Sequence, residues 1–429
     1  MHVTNGLAEV YAGRRQRLMA QMGGGVALIH SGGMSPDSQL WDMNLAYLTG
    51  VTDKSAYLLL APDGVRVERL ETRTGPELMR GRLVHEILFV EPRSAQQEFM
   101  EGKGATFEEI QRATGVDRVY ALDKLNDTLA KALMMTDVLW LNAPGTLSLG
   151  KPLTPDLAFI NQIRERFFWV DLRNIASMIH EMRFVKDACE IVSLREAFRI
   201  NTEIFEKIMR TLKPGDNESL GQAIFDYEIR TRVGVVTSGV GSDLYPASII
   251  VGAGKNSAIP HYMDNNQEIQ DGDLVLIDGG VSVNGYFSDI TRTFPANGRF
   301  TPRQRELYAA VLEAQKAAID TMRPGSTLLA AHQAVYDVFE KHHLAQYSYG
   351  NCGHTVGLNI HDATGRVPDD REQPFEPGVV LVIEPFLTIP EENMGVRIED
   401  GVLITDAGCE LLAGPPKEID AVEALCRRG

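Results

Sequence analysis

Cysteine is scarce in this 429-residue chain: the four present, Cys189, Cys352, Cys409 and Cys426, are widely spread and show no C-x-x-C spacing. Neither a disulfide framework nor a zinc knuckle is indicated. Positive charge is also in short supply, with 42 Lys and Arg against 58 Asp and Glu and a net charge of −16. No Lys/Arg run is present to neutralise phosphates, which excludes nucleic acid as a partner. Long apolar runs are missing too. None approaches the roughly 18 residues of a membrane span, and the opening MHVTNGLAEVYAGRR has no apolar stretch of signal-peptide length. The expectation is a cytoplasmic protein with no membrane partner.

What is there is an ordinary globular composition, 44% hydrophobic and 23% charged, which forces no large disordered region. The length implies two domains. Through about residue 170, short β runs (VALIH, AYLLLA, EILFVEP, DVLWLNA) alternate with helical patterns, the mark of an α/β domain. A polar joint is expected in WVDLRNIASMIHEMRFVKD, with the boundary at Leu172, giving domains 1–172 and 173–429.

The second part carries an approximate duplication. TLKPGDNESL (211–220) echoes TMRPGSTLL (321–329), each ending a helix at Lys/Arg-Pro-Gly. The preceding helices bear apolar stripes at Ile191, Leu194, Phe198, Phe205, Ile208 and Leu212, and at Leu307, Val311, Ala318 and Met322. Matching strands follow, DGDLVLID ending at Asp278 and EPGVVLVIE ending at Glu384. The two Pro-Gly pairs lie 110 residues apart and the two strand-end carboxylates 106. Two related halves, with a site between them, account for both offsets.

The stretch LVLIDGGVSVNGYFSDITRTF (274–294) reads as a β-hairpin turning at Asn284-Gly285. A two-residue loop sets Asp278 opposite Thr291 and Asp289 opposite Gly280. The two aspartates then share a face as diagonal neighbours, about 7–8 Å apart at the backbone. Carboxylates so placed on apolar strands repel and need a shared proton, an arginine or a metal ion. Glu384 and Glu399 repeat the theme in the second half, Glu399 on a period-two run with Arg397 and Gly401 facing one way and Val396, Ile398 and Asp400 the other. His354, in GNCGHTVGLNIHD, completes five candidates. Two divalent cations would cancel four such carboxylates. One imidazole with oxygen ligands suits Mn2+, Co2+ or Zn2+ and departs from the closed Cys/His tetrahedron of structural zinc. A two-metal site activates water as hydroxide and polarises a carbonyl, which is hydrolase chemistry.

Three other signals are set aside. VGAGKNS (251–257) has Ile249 where a phosphate loop needs glycine, GGGVALIHSGG lacks dinucleotide-binding spacing, and Cys352 is expected to be a buried thiol rather than a nucleophile.

The segments SIIVGAGKNSAIPHY, DGDLVLIDGG, GYFSDITRTFP, GHTVGLNIHD, EPGVVLVIEP and GVRIEDGVLIT together resemble the pita-bread metallopeptidases. The whole chain resembles the two-domain Xaa-Pro aminopeptidases, the first domain more weakly through RRQRLMAQM and NLAYLTGV. This resemblance implies a creatinase-like α/β N-terminal domain and an α+β pita-bread catalytic domain with a pseudo-twofold repeat. It implies two metal ions, usually manganese, one on Asp278, Asp289 and Glu399 and the other on Asp289, His354, Glu384 and Glu399. His261 and His361 are then substrate-contacting histidines and Arg397 buttresses the site. By the same resemblance a bridging hydroxide attacks the first residue's carbonyl, and a proline nitrogen leaves. A homodimer or homotetramer acting on short peptides is expected.

Two positions depart from the family pattern: Gly350, where a histidine is frequent, and Thr388, in place of the aromatic residue that ends the strand-end motif. The chain is therefore expected to be an active peptidase with altered preference around the scissile bond. Alternatives are an Xaa-Pro dipeptidase, with Arg366 or Arg371 taking the product-side carboxylate, and, more remotely, a non-catalytic binding protein of the same fold.

Overall fold

The computed structural model describes residues 7–30, 43–53, 55–67, 82–142, 155–232, 234–237, 249–348, 350, 352–362 and 370–427. The chain forms two compact units, Met1–His180 and Glu181–Gly429. No helix among the described residues is long and apolar enough to cross a membrane.

The first unit is built on a six-stranded sheet of β1 (Val26–His30), β2 (Tyr57–Val67), β3 (Arg82–Val90), β4 (Arg118–Ala121), β5 (Val138–Leu141) and β6 (Asp171–Asn174), in the order β4-β3-β2-β1-β5-β6. β1, β2 and β3 pair antiparallel, while β4, β5 and β6 join in parallel. All five residues of β1 are buried, as a central strand covered on both faces requires. Leu28, Leu59, Phe89, Leu129 and Leu139 sit in its core. The expected polar joint is not a linker. Leu172 lies in β6 opposite Leu139, a helix follows at Ala176–Phe184, and Ile175 and Ile179 are buried. Too few apolar residues mark that stretch in sequence because β6 is a half-exposed edge strand.

The second unit carries the duplication. Helix Ala188–Thr211 is capped by Asp187 with Glu190, and helix Pro302–Asp320 by Thr301 with Gln304, each a reciprocal capping box. Gly215 and Gly325, both in the left-handed region, follow the two helix ends, and shorter helices Ser219–Arg230 and Leu328–Lys341 come next. The strands are β7 (Val235–Thr237), β8 (Ile250–Ala253), β9 (Leu274–Gly279), β10 (Val281–Val283), β11 (Tyr286–Phe287) and β12 (Ile290–Pro295). The second half adds β13 (Gly353–Thr355), β14 (Val380–Ile383), β15 (Phe386–Ile389), β16 (Met394–Arg397), β17 (Asp400–Thr405) and β18 (Gly408–Leu411). Order β12-β9-β8 in one half matches β17-β14-β13 in the other. The hairpin β10-β11 likewise corresponds to β15-β16.

The first hairpin has the register its turn dictates. Asp278 pairs with Thr291 and Val283 with Tyr286, and Asn284 and Gly285 have φ of 53° and 86°, as a type I′ turn demands. It is not one continuous ladder, however. At Gly280 and Ser288 the chain bends, and β10 leaves β9 for β7. A Cβ on Gly280 would lie 1.8 Å from the Ser288 carbonyl oxygen, so only glycine fits. Asp289 is thus freed from the ladder just before β12. The second hairpin bends at the same place: Val382 faces Gly401 and Phe386 faces Arg397, which sets Glu384 level with Glu399 at the break.

Candidate metal centre

The four carboxylates stand where the two bent hairpins meet. Glu399 bridges from its main chain to Thr291, so the second half is stitched to the first beside Asp278 and Asp289. Ligand atoms of Asp289, His354 and Glu399 lie within 4.8 Å of one another. His354 Nε2 is 3.6 Å from Asp289 Oδ2 and 3.8 Å from Glu384 Oε1. Its Nδ1 sits 3.1 Å from the Thr355 carbonyl, which fixes the proton there and leaves Nε2 as a bare lone pair aimed at the carboxylates.

Among the described residues, Arg397 is the one guanidinium against this charge. Nη2 donates to Asp278 Oδ2, Nε donates to Thr291 Oγ1 at 3.0 Å, and Nη1 donates to the Pro260 carbonyl at 3.3 Å. The guanidinium also lies over the Phe386 ring, 5.2 Å from its centroid. Thr291 passes the contact on, its hydroxyl donating to Glu399 Oε2 at 2.7 Å. One arginine does not neutralise four carboxylates. Burial, and next the Asp278 and Glu384 charges, drive Asp289 well above the usual carboxylate range. Glu399 is raised likewise by burial and by Asp289. Burial lifts Glu384 to about 7 against the pull of Arg397.

Whether a cation fits is answered by the polar atoms that protein leaves unpaired. Asp289 Oδ1 and Glu399 Oε1 are buried and accept no hydrogen bond. A buried anionic oxygen without a partner is costly, and a divalent ion removes that cost while suppressing the repulsion. The donor set, carboxylates with one neutral imidazole, fits such an ion.

The histidines are arranged around this cluster. His361 stacks on His354 with ring centroids 3.8 Å apart. The charge on His354, then burial, pushes His361 down to about 3, so it is neutral at working pH; burial also lowers His354. Asp362, next in sequence, is buried between Arg183 and Lys186 and anchors that segment. His261 is exposed on the loop after the short 3-10 turn Gly254–Ala258, near enough for its charge to depress both Glu384 and His361. Cys352 is buried, and its thiol is pushed up to about 12 by burial, so no nucleophilic thiolate is available there.

All five expected ligands and Arg397 are therefore brought to one place. Of the residues expected to deal with a product carboxylate, Arg371 lines a cavity of about 330 Å³ that reaches His354 and His361. Arg366 lies outside the described residues.

Several residues that build the centre have no role in the sequence reading. The hairpin register sets Thr291 opposite Asp278 but says nothing of its hydroxyl. Behind Glu399, Arg292 is 1% exposed and donates to the Thr291 and Glu399 carbonyls, to Pro415 O and to Asp400, which Lys417 also meets at 2.7 Å. The clue available in sequence is charge on both faces of two otherwise apolar strands, Arg292 in ITRTF and Asp400 in IEDGV.

Comparison with known proteins follows the same lines. The metallopeptidase family M24 signature matches residues 192–406, and the aminopeptidase P N-terminal domain signature matches 11–140. Xaa-Pro aminopeptidase 3 of Mus musculus is 31% identical, over 99% of this chain and 87% of its own length. The Xaa-Pro aminopeptidase of Escherichia coli K12 is 30% identical over 97% of each. The structure of the aminopeptidase PepP from Pseudomonas aeruginosa superposes with a TM-score of 0.79 at 28% identity, covering 98% of both chains. The chain belongs to metallopeptidase family M24, in its Xaa-Pro aminopeptidase group, and combines an aminopeptidase P N-terminal domain with a pita-bread hydrolase domain.

Proposed function

We propose that this chain releases the N-terminal residue from peptides with proline in second position, using two divalent metal ions, Mn2+ first and Co2+ or Zn2+ as substitutes. Asp278, Asp289 and Glu399 would hold one ion, and Asp289, His354, Glu384 and Glu399 the other. Residues 173–429 carry the chemistry, and residues 1–172 limit access to short peptide ends. A cytoplasmic homodimer or homotetramer completes the reading.

The observation that carries it is the pair of buried, unpartnered oxygens, Asp289 Oδ1 and Glu399 Oε1, on two residues clustered with His354, in a chain whose relatives are named Xaa-Pro aminopeptidases. Ions held there supply an activated water at neutral pH and polarise the scissile carbonyl. The chain's own residues supply the rest. Neutral His361 has an N–H to donate to negative charge growing on the carbonyl oxygen. His261, exposed on its loop, would meet the peptide and pass a proton towards the departing nitrogen, which as a tertiary amide has none of its own. Arg397 donates to Asp278 and holds its carboxylate in place.

The test is hydrolysis by metal-stripped protein, with and without Mn2+, of one Xaa-Pro dipeptide and one Xaa-Pro-Xaa tripeptide. Metal-dependent release of the first residue from the tripeptide is expected. Activity indifferent to metal, or none on either peptide, overturns the proposal. A second reading, Xaa-Pro dipeptidase, is favoured by Arg371 on the cavity beside His354 and His361, a cation suited to a product carboxylate. Cleavage of the dipeptide alone selects it.

A further inference from the structure

We propose that Glu218 is the positioning residue for His261, acting through the loop that presents this imidazole. The inference rests on the reading that His261 meets the substrate. Glu218 precedes helix Ser219–Arg230 and is 0% exposed. Its carboxylate makes no ion pair among the described residues; it accepts four hydrogen bonds, all from the segment 253–267. Oε1 takes the Ala253 N–H at 2.7 Å and Asn256 Nδ2 at 2.9 Å. Oε2 takes the Tyr262 hydroxyl and the Gln267 N–H, each at 2.9 Å.

A carboxylate stripped of water is costly unless its lone pairs are filled, and here four neutral donors fill them. Only an ionised carboxylate offers four acceptor sites with no donor of its own. Glutamine would turn an amide against two of the four. The anion thus fixes the curvature of one loop from the inside.

The loop is held on its other side as well. Thr388 Oγ1 donates to the Ala258 carbonyl at 2.7 Å, the Gly395 N–H donates to Ser257 Oγ at 2.9 Å, and Arg397 reaches the Pro260 carbonyl. A Cβ on Gly395 would come within 1.9 Å of the Ser257 carbonyl oxygen, so the second hairpin presses directly on this turn. His261 stands between two fixed neighbours, Pro260 tied to Arg397 and Tyr262 tied to Glu218. With so little slack, loosening Tyr262 displaces His261, and misplacement of a substrate-binding group by about 1 Å costs on the order of 100-fold in rate.

The experiment is a double-mutant cycle on the metal-loaded enzyme with an Xaa-Pro-Xaa tripeptide, using Glu218→Gln, His261→Ala and the pair, with melting temperature and metal content alongside. Expected is a loss in kcat and kcat/KM of about 10- to 100-fold for Glu218→Gln at unchanged metal content, and no further loss when it is added to His261→Ala. Tyr262→Phe, which removes one donor and keeps the ring, repeats the cycle with a smaller loss if Glu218→Gln does not fold. Multiplying losses in the double variants, or wild-type turnover in both Glu218→Gln and Tyr262→Phe, overturns the role of Glu218. Wild-type turnover in His261→Ala overturns the reading of His261 and the proposal with it.

Discussion

Thr291 and Glu399 are joined twice, once through the main chain, where the Glu399 N–H donates to the Thr291 carbonyl at 3.1 Å, and once where the Thr291 hydroxyl donates to Glu399 Oε2 at 2.7 Å. The first bond aligns the two halves of the duplication; the second occupies one carboxylate oxygen and leaves Oε1 without a hydrogen-bond partner, on a side chain clustered with Asp289 and His354. Since Arg397 donates to the same hydroxyl, Asp278, Arg397, Thr291 and Glu399 form one chain of hydrogen bonds. Orientation of the acidic cluster is decided by this neutral side chain as much as by the charged ones.

Thr291→Val keeps the shape of the side chain and removes that hydroxyl. Loss of a partner that orients a metal ligand typically weakens metal binding by roughly 10- to 100-fold. Titration of metal-stripped protein with Mn2+, followed calorimetrically, is expected to show a drop of that size. An unaltered binding curve means that Glu399 is held by packing alone.

The metal-free protein has a pH dependence whose sign follows from Glu384. As the pH rises past its ordinary 4.5, the unfolded chain gives up this proton, whereas the folded chain keeps it to about 7, so folding stability is lost across that window. Asp289 and Glu399 act in the same direction. His354 and His361, lowered from 6.5, act oppositely, costing stability as the pH falls below that value. Glu384→Gln removes one contribution from the first set. Its metal-free melting temperature is expected to fall less than that of the wild type between pH 4.5 and 7; parallel curves would count against a strained Glu384.

Much of this centre is legible in the sequence because its physics is local. Asn284-Gly285 permits only a tight turn, so the register of Asp278 against Thr291 follows from two residues. The repeat is visible because helix stops and strand ends recur at similar distances. What stays hidden is long-range. The bend at Gly280 is imposed by the close approach of Ser288, and β10 pairs with β7, more than forty residues earlier in the chain. The alternation around Glu399 reads as two faces, but Val396, Arg397, Ile398, Glu399 and Asp400 are all buried. Glu218 lies within the very segment that announces the repeat, yet its partners come from a loop 35 to 49 residues away. β6 leaves no trace in the apolar pattern because pairing with β5, rather than burial of its own side chains, makes it a strand.

Arg292→Met probes the buried network behind Glu399. The substitution removes donors to the Thr291 and Glu399 carbonyls and leaves Asp400 with Lys417 as its remaining cation. Breaking a buried ion pair from one side costs about 3–5 kcal/mol, and Lys417 places the expected loss at the lower end, ~3 kcal/mol. Urea unfolding of the metal-free protein measures it. A loss below ~1 kcal/mol means that Lys417 and Gln315, which donates to Asp400 at 3.1 Å, satisfy the aspartate unaided.

The two departures from the family pattern bear on specificity. Among the described residues no heavy atom lies within 4 Å of where a Cβ on Gly350 would be, and the Thr388 hydroxyl is committed to the Ala258 carbonyl. Neither offers a ring face against which a pyrrolidine could pack, whereas histidine and tyrosine there would supply two. A weak preference of the wild-type protein for proline over alanine in second position is therefore expected. The paired substitutions Gly350→His and Thr388→Tyr are expected to raise kcat/KM for an Xaa-Pro-Xaa peptide relative to its Xaa-Ala-Xaa counterpart by about tenfold, the size of a modest apolar interaction that the proline ring makes and the alanine methyl does not. The comparison has to be a ratio, because Thr388→Tyr also frees the Ala258 carbonyl and lowers turnover on both peptides through the His261 loop. If the ratio is already high in the wild type and unmoved in the variant, proline is recognised elsewhere in the site, and the open space at Gly350 serves no discrimination between the two peptides.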